Sequence, residues 1–282
     1  MILFKKAAAL TTHLQQCRTS GASIGFVPTM GALHQGHISL IMASAAANPV
    51  TVVSIFVNPA QFNDPKDFEK YPVTLEKDLE LLAQAGASIV FLPSVAEIYP
   101  DGLSSPVHYD LGRLEQLLEG KYRPGHFQGV CRVMDRLLRI VGPAHLYMGQ
   151  KDYQQCMVVE RLIKLLNLPV QLHTCPTLRE ADGLAMSSRN TRLDERGRQN
   201  ATGISAVLRF IQRSIAPGAT QSLVDTSIEM LEANDFRVDY VSIADAQTLE
   251  PVQQWNGRQP LVALVAAFQR EVRLIDNMTL SR

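Results

Sequence analysis

The stretch Pro28-Thr29-Met30-Gly31-Ala32-Leu33-His34-Gln35-Gly36-His37 decides how this chain is read. Before it stands the apolar run Ile24-Gly25-Phe26-Val27, a buried strand in pattern, closed by Pro28. After it, residues 37–47 read as a helix. A loop from strand to helix aims free backbone N–H groups, at the positive end of the helix dipole, at whatever fills it. Gly31 and Gly36 let that ligand approach the backbone closely. His34 and His37, three residues apart, can meet one anion together as donors. The same residues also suit a plain corner whose rings only cap or pack. A metal site is the weaker reading, because no third ligand stands at suitable spacing.

Working outward, residues 50–57 are a β-branched run stopped by Asn58-Pro59, the best strand signal in the chain. Residues 74–85 read as a helix with Thr74 at its start and Gly86 past its end. Residues 88–92 form the next strand. Between 128 and 141, Val130, Val133, Met134, Leu137, Leu138 and Val141 mark one helical face. A short strand at 145–148, a helix to about 166 and a strand at 168–173 complete the run. Strands joined by helices at these lengths predict an α/β parallel sheet with ligands at the carboxyl ends of its strands. The loops after the strands at 24–27, 50–57 and 145–148 are therefore the place to look for chemistry. Past residue 176 the order changes to helices at 194–214 and 221–233, then strands at 238–243, 261–268 and 272–275. That order predicts a domain over 1–176 and a smaller α+β domain over 177–282.

Composition narrows the partners. The chain has 282 residues, 46% hydrophobic and 19% charged, an ordinary soluble balance. Lys+Arg and Asp+Glu are equal at 27 each, which argues against a basic face for nucleic acid but leaves room for a small anion pocket. The four cysteines show no close pairing and read as reduced, packed side chains. No apolar run is long enough for a bilayer, and nothing resembles a signal peptide, so no membrane partner and a cytoplasmic location are expected.

Three further segments carry polar residues at the predicted carboxyl edge. After the second strand, Asn58 and Gln61 are neutral groups that donate and accept, suited to a hydroxylated, anionic small molecule. In Met148-Gly149-Gln150-Lys151-Asp152-Tyr153-Gln154-Gln155, Lys151 stands where a strand meets a helix, a good place to meet a polyphosphate. In Thr177–Asn190, Ser187, Ser188 and Arg189 offer two hydroxyls and a guanidinium fork for phosphate oxygens, beside a possible hinge.

These strings carry resemblances. H-x-G-H between strand and helix resembles the signature of the nucleotidylyl transferases, in which the two histidines grip ATP phosphates. Met186-Ser187-Ser188-Arg189 resembles the Lys-Met-Ser-Lys-Ser loop of class I aminoacyl-tRNA synthetases. Taken together, PTMGALHQGH, FVNPAQF, RPGHFQGV, GQKDYQQ and DGLAMSSRN, in order from residue 28 to 190, resemble the pantothenate synthetase (pantoate–β-alanine ligase) family. The resemblance implies a Rossmann-like nucleotide-binding domain, a C-terminal domain acting as a lid, and a homodimer. It implies ATP and Mg²⁺, with pantoate adenylated and then joined to β-alanine. It places Met30, Gly31, Ala32, Leu33, His34, Gln35, Gly36 and His37 on ATP, with His37 as proton donor and His34 and Lys151 on the phosphates. Gly149, Gln150, Lys151, Asp152, Leu178, Met186, Ser187, Ser188 and Arg189 are expected to line the nucleotide pocket. Gln61, Gln155 and Asn58 are expected on pantoate, and Asp78 on Mg²⁺, although Lys77 stands where a second acidic residue is expected. Arg123 and His126, in RPGHF, receive no role. Two other readings stay open: a transferase that leaves AMP on a phosphate ester, whose acceptor site should be cationic, and a nucleotide-sensing scaffold.

Overall fold

The structure, a computed structural model, describes residues 1–63, 65–103 and 107–280. β1 (Ile2–Phe4) and α1 (Ala7–Thr19) come first, and β2 (Ile24–Thr29) runs through the histidine loop into α2 (Gln35–Ala47). β3 (Val50–Ile55), α3 (Pro65–Glu69), α4 (Leu75–Gln84), β4 (Ile89–Phe91) and α5 (Val95–Ile98) follow. Then come α6 (Leu118–Tyr122), α7 (His126–Val141), β5 (His145–Gly149), α8 (Tyr153–Leu165) and β6 (Gln171–Cys175). The six strands make one sheet in the order β1-β4-β3-β2-β5-β6, with every ladder parallel. Successive residues of a strand face opposite sides. Phe26 thus joins the core with Leu138 and Val159, while Val27 joins the core with Ile41 and Leu82.

Strand order reverses at β2, which has β3 on one side and β5 on the other. At such a switch point the connections leaving the two strands part and open a crevice at their carboxyl ends. The histidine loop leaves β2 and the 3₁₀ turn Gln150–Asp152 leaves β5. Topology alone therefore sets His34, His37 and Lys151 around one crevice.

The second unit holds α9 (Glu195–Asn200), α10 (Thr202–Ser214), β7 (Gly218–Ala219), α11 (Gln221–Glu232), β8 (Phe236–Asp245), β9 (Gln254–Trp255), β10 (Leu261–Gln269) and β11 (Val272–Thr279). Its main sheet is antiparallel in the order β11-β10-β8. Ala263 and Val265 of β10 pack with Leu208 and Leu231 of the helices, while Val262 and Leu264 face Leu118, Tyr153 and Met157 of the first unit. A buried polar clasp crosses the same seam. Glu119 of α6 accepts from Arg273 at 2.7 and 2.8 Å and from the Tyr240 hydroxyl at 2.8 Å, and Arg273 also donates to Asp239. The expected α/β parallel sheet with a smaller α+β unit is what the chain forms.

Several expectations needed adjustment. β2 continues through Pro28 to Thr29, because β5 pairs with it only at Gly25 and Phe26 and the missing proline N–H costs no ladder bond. The helix expected over 194–214 breaks at Ala201, where Thr202 Oγ1 donates to the Gln199 carbonyl and Gly197 and Gly203 flank the junction. The edge strand β1 went unread, since three residues are too few to show alternation. All four cysteines are free, and no described helix is long and apolar enough to cross a membrane.

One close approach matters for the site. A Cβ on Gly129 would lie 2.1 Å from the Ala60 carbonyl oxygen, so α7 presses its bare backbone against the 3₁₀ turn Pro59–Gln61. Gly129→Ala gains about 1 kcal/mol of helix propensity but drives this clash, which costs about 1–3 kcal/mol. Urea unfolding should show a net loss of stability together with weaker substrate binding; a stabilised variant contradicts this packing.

Candidate active site

The histidine loop is built on a carboxylate. Gly31 (φ +79°) and Ala32 (φ +50°) are both left-handed, which turns the Ala32 and Leu33 amides inward. Asp78 of α4, 1% exposed, receives them at 2.9 and 2.8 Å and also accepts from Thr74 Oγ1 at 3.0 Å. A Cβ on Gly31 would meet Asp78 Oδ2 at 3.1 Å, so glycine serves here for space as well as angle. Asp78 was expected on Mg²⁺, and the structure corrects this: both oxygens are committed to the loop beneath the crevice. Gly31, Ala32 and Leu33 likewise turn away from it, their amides engaged or their side chains in the core, and Gln35 is exposed outside it.

His34 is the N-cap of α2 and His37 completes a capping box. Gly36 N donates to His34 Nδ1 at 3.1 Å, and His34 N donates to His37 Nδ1 at 3.3 Å. Because each Nδ1 accepts, each neutral ring carries its proton on Nε2. Burial, then the Lys151 charge, lowers His34 to about 4; burial, then His34 and Lys151, lowers His37 to about 3. Near pH 7 the pair is neutral, with two outward N–H donors and ring centroids 4.1 Å apart. Nδ1 of each ring caps, as the corner reading expects, and the anion reading concerns the remaining Nε2. For His37 the neutral ring offers hydrogen-bond donation from Nε2.

Lys151 lines the same cavity, close enough for its charge to act on both rings, and among the described residues it pairs with no carboxylate. Opposite stands the 3₁₀ turn Ser188–Arg192. Ser188 Oγ donates to the Ala32 carbonyl at 2.9 Å, so this hydroxyl ties the two loops together rather than standing free. Ser187 Oγ accepts the Arg189 amide and keeps its own proton to donate. Arg189 is engaged: its guanidinium donates to Asp67 at 2.8 Å, and Arg192 donates to the same carboxylate at 2.7 Å. Burial alone raises Asp67, but the two arginines outweigh it and hold the carboxyl below its usual range. Gly149, Asp152, Leu178 and Met186 line the same cavity. Gln150 does not, since its side chain turns to Asn277 at 3.4 Å. Thr177 went unread, and its buried hydroxyl at the cavity edge has no partner.

The other end is apolar and uncharged. Leu40, Phe56, Val130, Val133, Met134 and Leu137 wall a cavity of about 220 Å³, into which Gln61 and Gln155 face. The helical spacing of the α7 residues was legible, but not that part of this face is left for a ligand. Asn58, 1% exposed, is corrected from ligand to scaffold. Its amide donates to Gln61 Oε1 and the Gly129 carbonyl, and its oxygen accepts from Ala60 N and the Tyr99 hydroxyl. His126 and Arg123 also acquire a place. His126 Nδ1 meets the Gln61 carbonyl at 2.8 Å, and Arg123 contacts both that carbonyl and His126 Nε2. Burial, then Arg123, lowers His126 to about 4, so the neutral ring donates from Nδ1 and accepts at Nε2. The RPGHF string thus fixes the backbone of Gln61 from below. Three adjoining cavities share Lys151, Asp152 and Arg189, which marks the point where they meet.

Metal ligation fits poorly. Asp78 is committed to the loop, Asp67 is held by arginines, and no group of three or more His, Cys, Asp or Glu among the described residues is placed to hold an ion.

Comparison with known proteins identifies the family. A family model described as pantoate-beta-alanine ligase matches residues 2–279. The pantothenate synthetase of Cytophaga hutchinsonii is 43% identical over 283 residues, 99% of each chain, and that of Bacteroides thetaiotaomicron is 43% identical over 272 residues, 95% of each. The crystal structure of pantothenate synthetase from Thermus thermophilus superposes with a TM-score of 0.91 at 39% identity over 100% of both chains. The Francisella tularensis pantoate-beta-alanine ligase, solved as a complex with beta-gamma ATP and beta-alanine, gives 0.84 at 36% identity over 99% of this chain and 98% of its own. This chain belongs to the pantoate–β-alanine ligase family and is an enzyme of that type.

The buried rings also set a pH dependence. His34, His37 and His126 are held below the ordinary imidazole value of 6.5, so the unfolded chain binds more protons than the folded one between pH 6.5 and about 4. Stability is therefore full above pH 6.5 and is lost as pH falls through that window, by about 1.4 kcal/mol per pH unit for each ring. Urea unfolding at about pH 7 and pH 5 measures the slope, and His126→Asn should remove one ring's share. Equal stability at the two pH values contradicts this account.

Proposed function

We propose that this member of the family condenses (R)-pantoate with β-alanine in two steps at the expense of one ATP. In the first, a pantoate carboxylate oxygen attacks the α-phosphorus, the bond to the β-phosphate bridge oxygen breaks, and pyrophosphate leaves. In the second, the β-alanine amine attacks the acyl carbon of pantoyl adenylate, gives up a proton, and releases AMP with pantothenate. The observation that carries this reading is the asymmetry of the cavity. One end has two imidazole N–H donors and an ammonium with no carboxylate partner among the described residues, and the other has an apolar wall with two uncharged amides.

That asymmetry suits the first step. A carboxylate held by Gln61 and Gln155 meets donors but no cation, so its negative charge stays available for attack, while the dimethyl carbon of pantoate rests on the α7 wall. Charge then moves onto phosphoryl oxygens, where His34 and His37 Nε2–H and the Lys151 ammonium wait already oriented. Ser187 and Arg189 add donors once a phosphate displaces Asp67 from the guanidinium. The unit from residue 177 onward serves as the lid. The Francisella relative, solved with an ATP analogue and β-alanine, supports both substrates. Asp78 is engaged by the loop, so this reading assigns no protein ligand to Mg²⁺. A transferase acting on a phosphate ester is less well served, because it needs a cation where Gln61 and Gln155 stand.

The test is ATP–pyrophosphate exchange that depends on pantoate, followed by amide formation on adding β-alanine. Exchange indifferent to pantoate overturns the proposal. Lys151→Ala should fold normally and lose on the order of 10²–10³-fold in exchange rate; a near-normal rate removes its role.

A further inference from the structure

Lys151 sits on a short 3₁₀ turn with little local support. The turn, Gln150–Asp152, has no side-chain cap, α8 after it also lacks one, and nothing lies within 4 Å of the Cβ position of Gly149 before it. What holds the turn comes from the other unit. Asn277 of β11, 3% exposed, donates one amide hydrogen to the Gln150 carbonyl at 2.8 Å and the other to the Lys151 carbonyl at 2.9 Å. These two carbonyls belong to the peptide planes on either side of the Lys151 Cα. Fixing both planes fixes the backbone angles of Lys151, and with them the direction in which its side chain leaves.

Asn277 is itself immobilised. Its backbone N–H donates to Asp276 Oδ1 at 2.8 Å, and Asp276, 4% exposed, is clamped by Arg179 through contacts of 2.6 and 3.0 Å. Arg179 also donates to the Gly183 carbonyl, within the segment that goes on to Met186–Arg189. One buried network thus ties the turn carrying Lys151 to the loop carrying Ser187 and Arg189.

We infer that Asn277 is a positioning residue, which aims the Lys151 ammonium at the phosphates by holding both peptide planes around it. This rests on the ATP-dependent reading above and deepens it. Asn277→Leu, of similar size, removes both donated hydrogen bonds; Asn277→Asp keeps the shape but sets one acceptor oxygen, in place of Nδ2, against both carbonyls. Each should lower the maximal rate of pantoate-dependent exchange on the order of 10–100-fold, with the KM for pantoate nearly unchanged, as for a misplaced catalytic group.

The distinguishing experiment is a double-mutant cycle. In the Lys151→Ala background, Asn277→Leu should cost less than about twofold further, because the group it aims is gone. Loss by the same factor in both backgrounds shows that Asn277 acts independently of Lys151 and overturns the inference, as does a normal rate for Asn277→Leu. If Asn277→Leu does not fold, Asn277→Ser, smaller but still a donor, carries the same cycle. A readout free of turnover separates this inference from the functional one: labelling of Lys151 by pyridoxal 5′-phosphate with borohydride trapping. ATP should protect Lys151 in the wild-type chain and protect it poorly in Asn277→Leu; equal protection refutes the positioning role. A wild-type enzyme with no pantoate-dependent exchange refutes the functional reading instead.

Discussion

The carboxylate of Asp78, sealed beneath the histidine loop, is the contact on which the site depends. It holds two successive left-handed residues, one of them an alanine, and such a conformation costs about 1–3 kcal/mol for a residue with a side chain. Hydrogen bonds from Ala32 N and Leu33 N to a buried charge contribute about 1.5–3 kcal/mol each, enough to outweigh that strain. With the loop so turned, His34 falls at the N-cap of α2 and His37 in its first turn. Their Nδ1 atoms then accept backbone N–H groups, and their Nε2–H groups face out. An acidic residue some way along the chain from a ligand motif invites a metal assignment; here its work is to shape a backbone.

Charge is arranged in tiers around the crevice. The rings stay neutral because they are buried beside an ammonium, so they add directed donors without stacking three cations in one place. Asp67 holds Arg189 and Arg192 together. At the far end, neutral Gln61 is braced from three sides by Asn58, Arg123 and His126. β11 supplies much of the bracing through Arg273 and Asn277.

The parallel sheet, its switch-point loops and the main lining residues were legible because they obey local rules. β-branched runs mark strands, a glycine-bearing loop precedes a helix, and polar residues follow strand ends. Direction was harder to read. Asn58 and Gln150 have the right type and place for a ligand but spend their amides on the protein, and only the partners of each atom reveal it. Arg123 and His126 had position without role, since their target is a main-chain oxygen that leaves no trace in residue identity. Asn277 was invisible for the same reason and for one more: it acts across a unit boundary, 126 positions from the lysine it holds.

In the proposed reaction, side chains distant in sequence converge on one triphosphate beside an uncharged acid site. A crystal structure of the enzyme with pantoate and a non-hydrolysable ATP analogue tests it most directly. Such convergence requires His34 Nε2, His37 Nε2 and Lys151 Nζ within about 3.2 Å of phosphate oxygens, with Arg189 released from Asp67 and the pantoate carboxylate against Gln61 and Gln155. Phosphates seated elsewhere, with the lysine in solvent and both rings unligated, would contradict it.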